Sequence, residues 1–195
     1  MRRLRSTDGA ALLIALMAMM LMTALATALM LTTITETRIA SSYGVGIETF
    51  YAADAAIERA IDDLRTVPDW RVLVASAATS TFVDGAPGGA RTLSDGTTLD
   101  LVEETRIARE GDGPPWRLFA YGALGGMLPA GRLTSRAYVA VWVADAPPRD
   151  GEEAIGLLAQ AYGPQGARRS LHVVLARKPI NDSKGILVVS WHEGP

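Results

Sequence analysis

Few residues in this 195-residue chain have types and spacing suited to chemistry. His172 and His192 are its only histidines, and it has no cysteine. Thiolate catalysis, thiolate metal binding and disulfide scaffolding are therefore excluded. A catalytic metal site usually needs three protein ligands. His172 falls within a strand pattern and His192 beside Trp191 near the end of the sequence, so each reads as a structural or exposed side chain. Asp62-Asp63 and Glu103-Glu104 are adjacent carboxylates. Neighbours on a helix diverge by about 100° and on a strand face opposite sides, so these are solvated charges rather than acid–base pairs. Gly85 to Gly89 resembles a phosphate loop only in its glycines, because no Lys-Ser/Thr follows and no strand–helix pattern surrounds it. Arg168-Arg169 reads as an exposed basic spot at a turn. The residues point to no catalytic site, no cofactor, no metal and no enzyme activity. They point to no clear nucleic-acid or small-molecule partner either.

What would position such residues is a chain of two textures. Apolar residues make up 49% of the sequence and charged residues 21%, with a formal net charge of −2. That is too apolar for intrinsic disorder, and it carries no excess of positive charge to suit a nucleic-acid polymer. The average hides an asymmetry. Between Ala10 and Leu31, 20 of 22 residues are apolar, and five of the seven methionines lie there. No charge occurs between Asp8 and Glu36. As a helix those 22 residues would be about 33 Å long, enough to cross a bilayer core. Arg2, Arg3 and Arg5 precede the run and should remain cytoplasmic, placing the chain from Glu36 outward on the far side. Hydropathy alone leaves open a single-pass anchor or a secretory signal cleaved near Ala24-Leu25-Ala26 or Ala26-Thr27-Ala28, although the run is longer than a usual signal core.

The helical pattern continues past the apolar run. Ile47, Phe50, Ile57, Ile61 and Leu64 recur at helical spacing, with Glu48, Glu58, Arg59, Asp62, Asp63 and Arg65 largely on the other side. Asp54 interrupts the apolar stripe, and Pro68 marks the stop. Gly44 and Gly46 each cost a helix about 1 kcal/mol relative to alanine, so a local break is expected near Ser41–Gly46.

Three stretches of this region resemble the PilX-type minor pilins, the pilus assembly proteins of type IV pilus systems. Asp8-Gly9-Ala10-Ala11-Leu12-Leu13-Ile14 is similar to a class III prepilin leader junction, a short basic leader ending in glycine just before the apolar helix. Thr32-Thr33-Ile34-Thr35-Glu36-Thr37-Arg38-Ile39-Ala40 is similar to the family's threonine-rich stretch ending in Glu-x-Arg-Met-Ala. Phe50-Tyr51-Ala52-Ala53-Asp54-Ala55-Ala56-Ile57 is similar to its Phe-x-Ala-Ala-Glu-Ala-Ala-Leu segment. Together they span about residues 1–65.

The resemblance implies a leader over 1–9, cleavage between Gly9 and Ala10 by a prepilin peptidase, and N-methylation of the new terminus. It implies a transmembrane and filament-core helix over 10–31 and an amphipathic continuation over 32–67. It also implies an extracytoplasmic β-rich domain over 68–195. Its partners would be other pilins through the N-terminal helix, the peptidase and the inner-membrane assembly platform. The protein would sit in the inner membrane with its N-terminus cytoplasmic, its outer domain periplasmic, and a place in an extracellular pilus. Major pilins carry a glutamate five residues after the cleavage point, where this chain has Ile14. That absence favours a minor subunit and also fits the K-type pseudopilins of type II secretion. Removing Arg2, Arg3, Arg5 and Asp8 would take the net charge from −2 to −4.

From residue 69 the texture is turn-rich. Spacers at 84–89, 111–115, 125–126 and 145–151 separate candidate strands near 98–109, 116–123, 132–144, 155–162, 170–177 and 185–192. Gly163-Pro164-Gln165-Gly166 should close a hairpin between the runs 155–162 and 170–177. The expected fold is α+β and pilin-like: a long, partly transmembrane N-terminal helix packed on a C-terminal antiparallel sheet. The four tryptophans, Trp70, Trp116, Trp142 and Trp191, all fall in the outer region as core or rim packing. Besides the pilin and pseudopilin readings there remains an envelope protein with a simple anchor or cleaved signal.

Overall fold

The structure, a computed structural model, describes residues 7–76, 78–110, 114–127, 135–147, 152–180 and 183–194. The chain divides into two units, Met1–Gly44 and Val45–Pro195. Helix α1, Thr7–Thr66, belongs to both.

The large apolar side chains from Leu12 to Leu31 are all exposed. The hydroxyls of Thr23, Thr27, Thr32, Thr33, Thr35 and Thr37 each donate to the carbonyl four residues earlier, at 2.6 to 3.1 Å. Such bonds satisfy a hydroxyl within its own helix, so threonine can sit in an apolar medium without an orphaned donor.

The expected break at Ser41–Gly46 does not occur: α1 runs unbroken through both glycines. Two isolated glycines cost about 2 kcal/mol, which a cooperative helix extending many residues to either side absorbs. Gly46 also lies beside the sheet: a Cβ there would stand 3.4 Å from Nη2 of Arg169. The helix ends two residues before Pro68, as expected.

In the second unit the buried residues of α1 are Thr49, Ala52, Ala53, Ala56, Ile57, Ala60, Ile61 and Leu64. Their spacing of three and four residues is one helical face. Half of them are alanine, which lets the backbone approach the sheet closely. Of the expected stripe, Ile57, Ile61 and Leu64 are buried, Phe50 is half-buried and Ile47 is exposed. Asp54 is half-buried.

The sheet has five antiparallel strands in chain order: β3 (Arg117–Ala123), β4 (Tyr138–Asp145), β5 (Glu153–Tyr162), β6 (Arg168–Ile180) and β7 (Ser183–Glu193). A two-stranded ribbon precedes it, β1 (Ala90–Thr92) with β2 (Thr98–Asp100), along with helices α2 (Trp70–Ser76) and α3 (Leu101–Arg109). Alternate residues of the strands meet α1: Val139, Val141 and Val143 of β4, Ile155, Leu157, Ala159 and Ala161 of β5, and Leu171, Val173 and Leu175 of β6. The opposite face holds a second cluster, in which Leu101, Trp116, Tyr138, Trp142, Leu158 and Tyr162 pack together. β4 is therefore buried on both sides, which explains its continuous apolar run from Ala137.

The expected hairpin of β5 and β6 is present, with Gln165 at φ 60° and Gly166 at φ 73° in its turn. The turn lies against α1: a side chain at Gly163 would collide with Thr49. The expected strand at 98–109 is a correction. Only Thr98–Asp100 is strand, and Leu101–Arg109 is helix. Asp100 caps that helix, accepting from Val102 N at 2.9 Å and Glu103 N at 3.4 Å. Glu103 and Glu104 lie in its first turn and Arg106 and Arg109 in its last, matching the helix dipole. The strand expected from 132 begins at Tyr138, and residues 132–134 lie outside the described residues. So do 111–113 and 148–151 of two expected turns. α2 and β1 had no counterpart among the expected elements.

The C-terminus of α1 is fastened by Arg177, a buried residue of β6. Its guanidinium donates to the carbonyls of Leu64 (3.1 Å), Val67 (2.8 Å) and Pro68 (2.8 Å). It also pairs with Glu153 at 3.3 Å and lies 4.2 Å from the centre of the Trp70 ring. Carbonyls at and just past the end of the helix thus share a charged donor.

Candidate functional site

In the first unit the candidate is an exposed surface. Gly9 and Ala10 are exposed helical residues, and a Cβ at Gly9 would meet nothing within 4 Å. Arg2, Arg3 and Arg5 lie outside the described residues. Ile14, where major pilins carry a carboxylate, is exposed among other apolar side chains. This stretch is long and apolar enough to cross a membrane. Lipid would cover what water cannot favourably solvate.

The second unit separates the residues that the sequence placed side by side. Asp62 pairs with Arg65 at 2.6 Å. Asp63 pairs with Arg59 at 3.2 Å and accepts from Ser80 and Thr81. Glu103 pairs with Arg106 at 2.5 Å, and Glu104 pairs with Arg168 at 2.8 Å. None of these carboxylates faces its sequence neighbour as an acid–base partner. The Arg106 guanidinium holds the Glu103 carboxyl below its ordinary range.

The glycine loop is likewise occupied by its own chain. Arg91 donates to the carbonyls of Ala86 (2.6 Å) and Gly88 (3.3 Å) and pairs with Asp84 at 3.0 Å. Tyr121 donates to the Gly85 carbonyl at 2.7 Å, and Tyr138 donates to Asp84 at 2.9 Å. A phosphate loop turns N–H groups inward, whereas these carbonyls converge on a cation. Burial, reinforced by the bond to Asp84, pushes the Tyr138 phenol well above its ordinary value.

Arg168 also donates to Gln160 at 2.8 Å and sits 5.4 Å from the Tyr162 ring centre, while Arg169 reaches Glu193 at 3.6 Å. Trp70 and Trp142 are fully buried and Trp116 nearly so. Trp191 is 48% exposed and meets Phe50 edge to face, with ring centres 5.9 Å apart. Beside α3 lies an apolar groove of about 620 Å³ lined by Leu101, Val102, Thr105 and Leu118, with Arg106, Arg109 and Arg117 among its lining. Arg106 is held by Glu103 and Glu110, and Arg109 donates to the Trp116 carbonyl at 2.7 Å. Among the described residues no nucleophile–base pair lines it. Among the described residues no group of three or more histidine, cysteine or acidic side chains gathers at one point.

The comparison with known proteins falls on the segment that holds the exposed apolar helix. Residues 8–58 match the family PilX N-terminal. That segment is similar to the N-terminal domain of PilX-type pilins. The match begins at Asp8 and takes in Gly9, Ala10, the threonine-rich stretch and Phe50 to Ile57. No curated protein and no solved structure matches the chain. A long N-terminal helix on a five-stranded antiparallel sheet is also the pilin-like α+β arrangement expected from the sequence. PilX-type pilins are structural proteins, and the family supports a minor-pilin role in a type IV pilus, contact with other pilus components and membrane anchoring.

Arg177 escaped the sequence reading. A lone arginine in a strand pattern carries no signal, because its partners, the carbonyls of Leu64, Val67 and Pro68, lie more than a hundred residues away. The helix at 101–109 could have been found, since Asp100 with Glu103 three residues later is a capping pattern.

Proposed function

We propose that this chain is a minor subunit of a type IV pilus system, matured by prepilin peptidase cleavage between Gly9 and Ala10. In this reading Arg2, Arg3 and Arg5 belong to the cytoplasmic leader. Residues 10–31 first cross the inner membrane and then join the helical core of a filament. The region from residue 68 stands in the periplasm and goes outward with the pilus. The observation that carries the reading is the coincidence of the PilX N-terminal match with a helix whose large apolar side chains from Leu12 to Leu31 are exposed. Such a surface is stable against lipid or against other helices of its kind. Five methionines between Met17 and Met30 suit irregular helix-to-helix packing, since their side chains are flexible. Other pilins, the peptidase and the inner-membrane platform are the partners that follow.

Intact mass and N-terminal sequencing of protein extracted from membranes test this directly. Cells with the peptidase should yield a chain beginning at Ala10, and cells without it one beginning at Met1. A chain that keeps Met1 in both would overturn the proposal. Ile14 in place of a carboxylate equally suits a type II secretion pseudopilin. Deletion separates the two, because loss of piliation with intact secretion supports the pilus and the reverse supports the secretion system.

A further inference from the structure

The cross-strand register places the chain's two histidines opposite one another, His172 on β6 and His192 on β7. Side chains alternate along β6. Leu171, Val173 and Leu175 face α1, so His172 lies on the other face of the sheet. The two imidazoles are stacked with ring centres 5.1 Å apart and planes 24° apart. Trp116 braces His172 from another side, edge to face at 5.8 Å. His172 is half-buried and His192 exposed, so the pair has one supported member and one open to solvent.

We propose that His172 and His192 form a chelating site for a borderline divalent cation such as Zn²⁺ or Ni²⁺. Directly opposed residues of an antiparallel pair have Cβ atoms about 5 Å apart, a span from which two imidazoles can converge on one ion. Coordination needs nitrogens about 2.0–2.1 Å from the metal, reached by rotating the rings out of their stack. Neutral imidazole favours Zn²⁺, Ni²⁺ and Cu²⁺ over Ca²⁺ and Mg²⁺, which take oxygen ligands. The approach to His172 is kept open by Gly194. A Cβ there would stand 3.3 Å from Nε2 of His172, 3.2 Å from its Cδ2 and 2.7 Å from Oγ of Ser170. Gly194 is held in place by its own N–H, which donates to the Ser170 carbonyl at 2.9 Å. Burial and then the facing His192 favour the neutral, metal-ready form of His172. The neighbouring Glu193 is engaged with Arg169, so the donors are the two imidazoles, with water completing the shell. A bound ion would tie the edge strand β7 to β6, and mass action would then raise the stability of the folded unit.

The test uses the full chain in detergent, stripped with a chelator and titrated calorimetrically with NiCl₂ or ZnCl₂, with CaCl₂ as control. The expected result is one Ni²⁺ or Zn²⁺ per chain, no Ca²⁺ binding, and a rise in Tm with added ion. His192→Gln, at an exposed position, should abolish both the binding and the Tm rise while leaving the metal-free Tm unchanged. Gly194→Ala should weaken binding. Absence of saturable binding by the wild type, or equal binding by wild type and His192→Gln, would overturn the proposal.

Discussion

Residues 12–31 and residues 49–64 of α1 belong to one continuous helix, yet they handle apolar surface in opposite ways. The first stretch carries large leucine, isoleucine and methionine side chains, all exposed. The second buries four alanines with Ile57, Ile61 and Leu64 against a sheet face rich in valine and leucine. Hydropathy therefore does not forecast burial within the chain. Large side chains around the whole circumference suit a uniform apolar surrounding, whereas small ones on a single face suit a rigid neighbour that must come close. The threonines differ in the same way. Those from Thr23 to Thr37 bond back to their own helix in the open. Thr49 does so too, but while buried against the turn at Gly163.

The largest effect expected from breaking this contrast is at Trp70, whose ring joins the end of α1, Arg177 and the core. Trp70→Ala should cost the second unit about 4 kcal/mol in chemical denaturation followed by tryptophan fluorescence, with membrane association unchanged. Next is Leu21→Arg, which places a charge in the middle of the exposed stretch. It should cost membrane insertion about 3 kcal/mol, read as the fraction of chain recovered with membranes after alkaline extraction, and leave the denaturation midpoint of the second unit unmoved. A smaller effect sharpens the contrast within one substitution type. Ala56→Leu should destabilise the second unit by about 2 kcal/mol through overpacking, while Ala18→Leu in the exposed stretch should leave it unchanged.

The smallest effect is a pH dependence. The His172 imidazole titrates below its ordinary value of 6.5, first because burial disfavours the cation and then because His192 faces it. The folded unit thus takes up fewer protons at this site than the unfolded chain. Its contribution is fully present above the unfolded value and is lost as pH falls from about 6.5 through the lower folded value. Denaturation midpoints measured in chelator should be flat from pH 8 to pH 7 and decline below it. His172→Gln should flatten the first part of that decline.

Much of this organisation was legible before the fold. The apolar run, the threonine stretch, the end of α1 before Pro68 and the β5–β6 hairpin all follow from local pattern, because each depends on residues close in sequence. At 98–109 Leu99, Leu101 and Ile107 mimic a half-buried strand, while the capping carboxylate of Asp100 and the acidic first turn settle a helix over 101–109. Gly44 and Gly46 do not break α1, because helix formation is cooperative and propensities do not act residue by residue.

Composition and short-range spacing suffice to give a membrane-length helix joined to a β-rich unit, and short motifs carry the PilX likeness of its N-terminal segment. Which face of α1 is buried, the reach of Arg177 back to the end of that helix and the meeting of His172 with His192 emerge only in the fold. Those outcomes depend on strand register and close approach between residues far apart in the chain, and neither leaves a trace in local sequence.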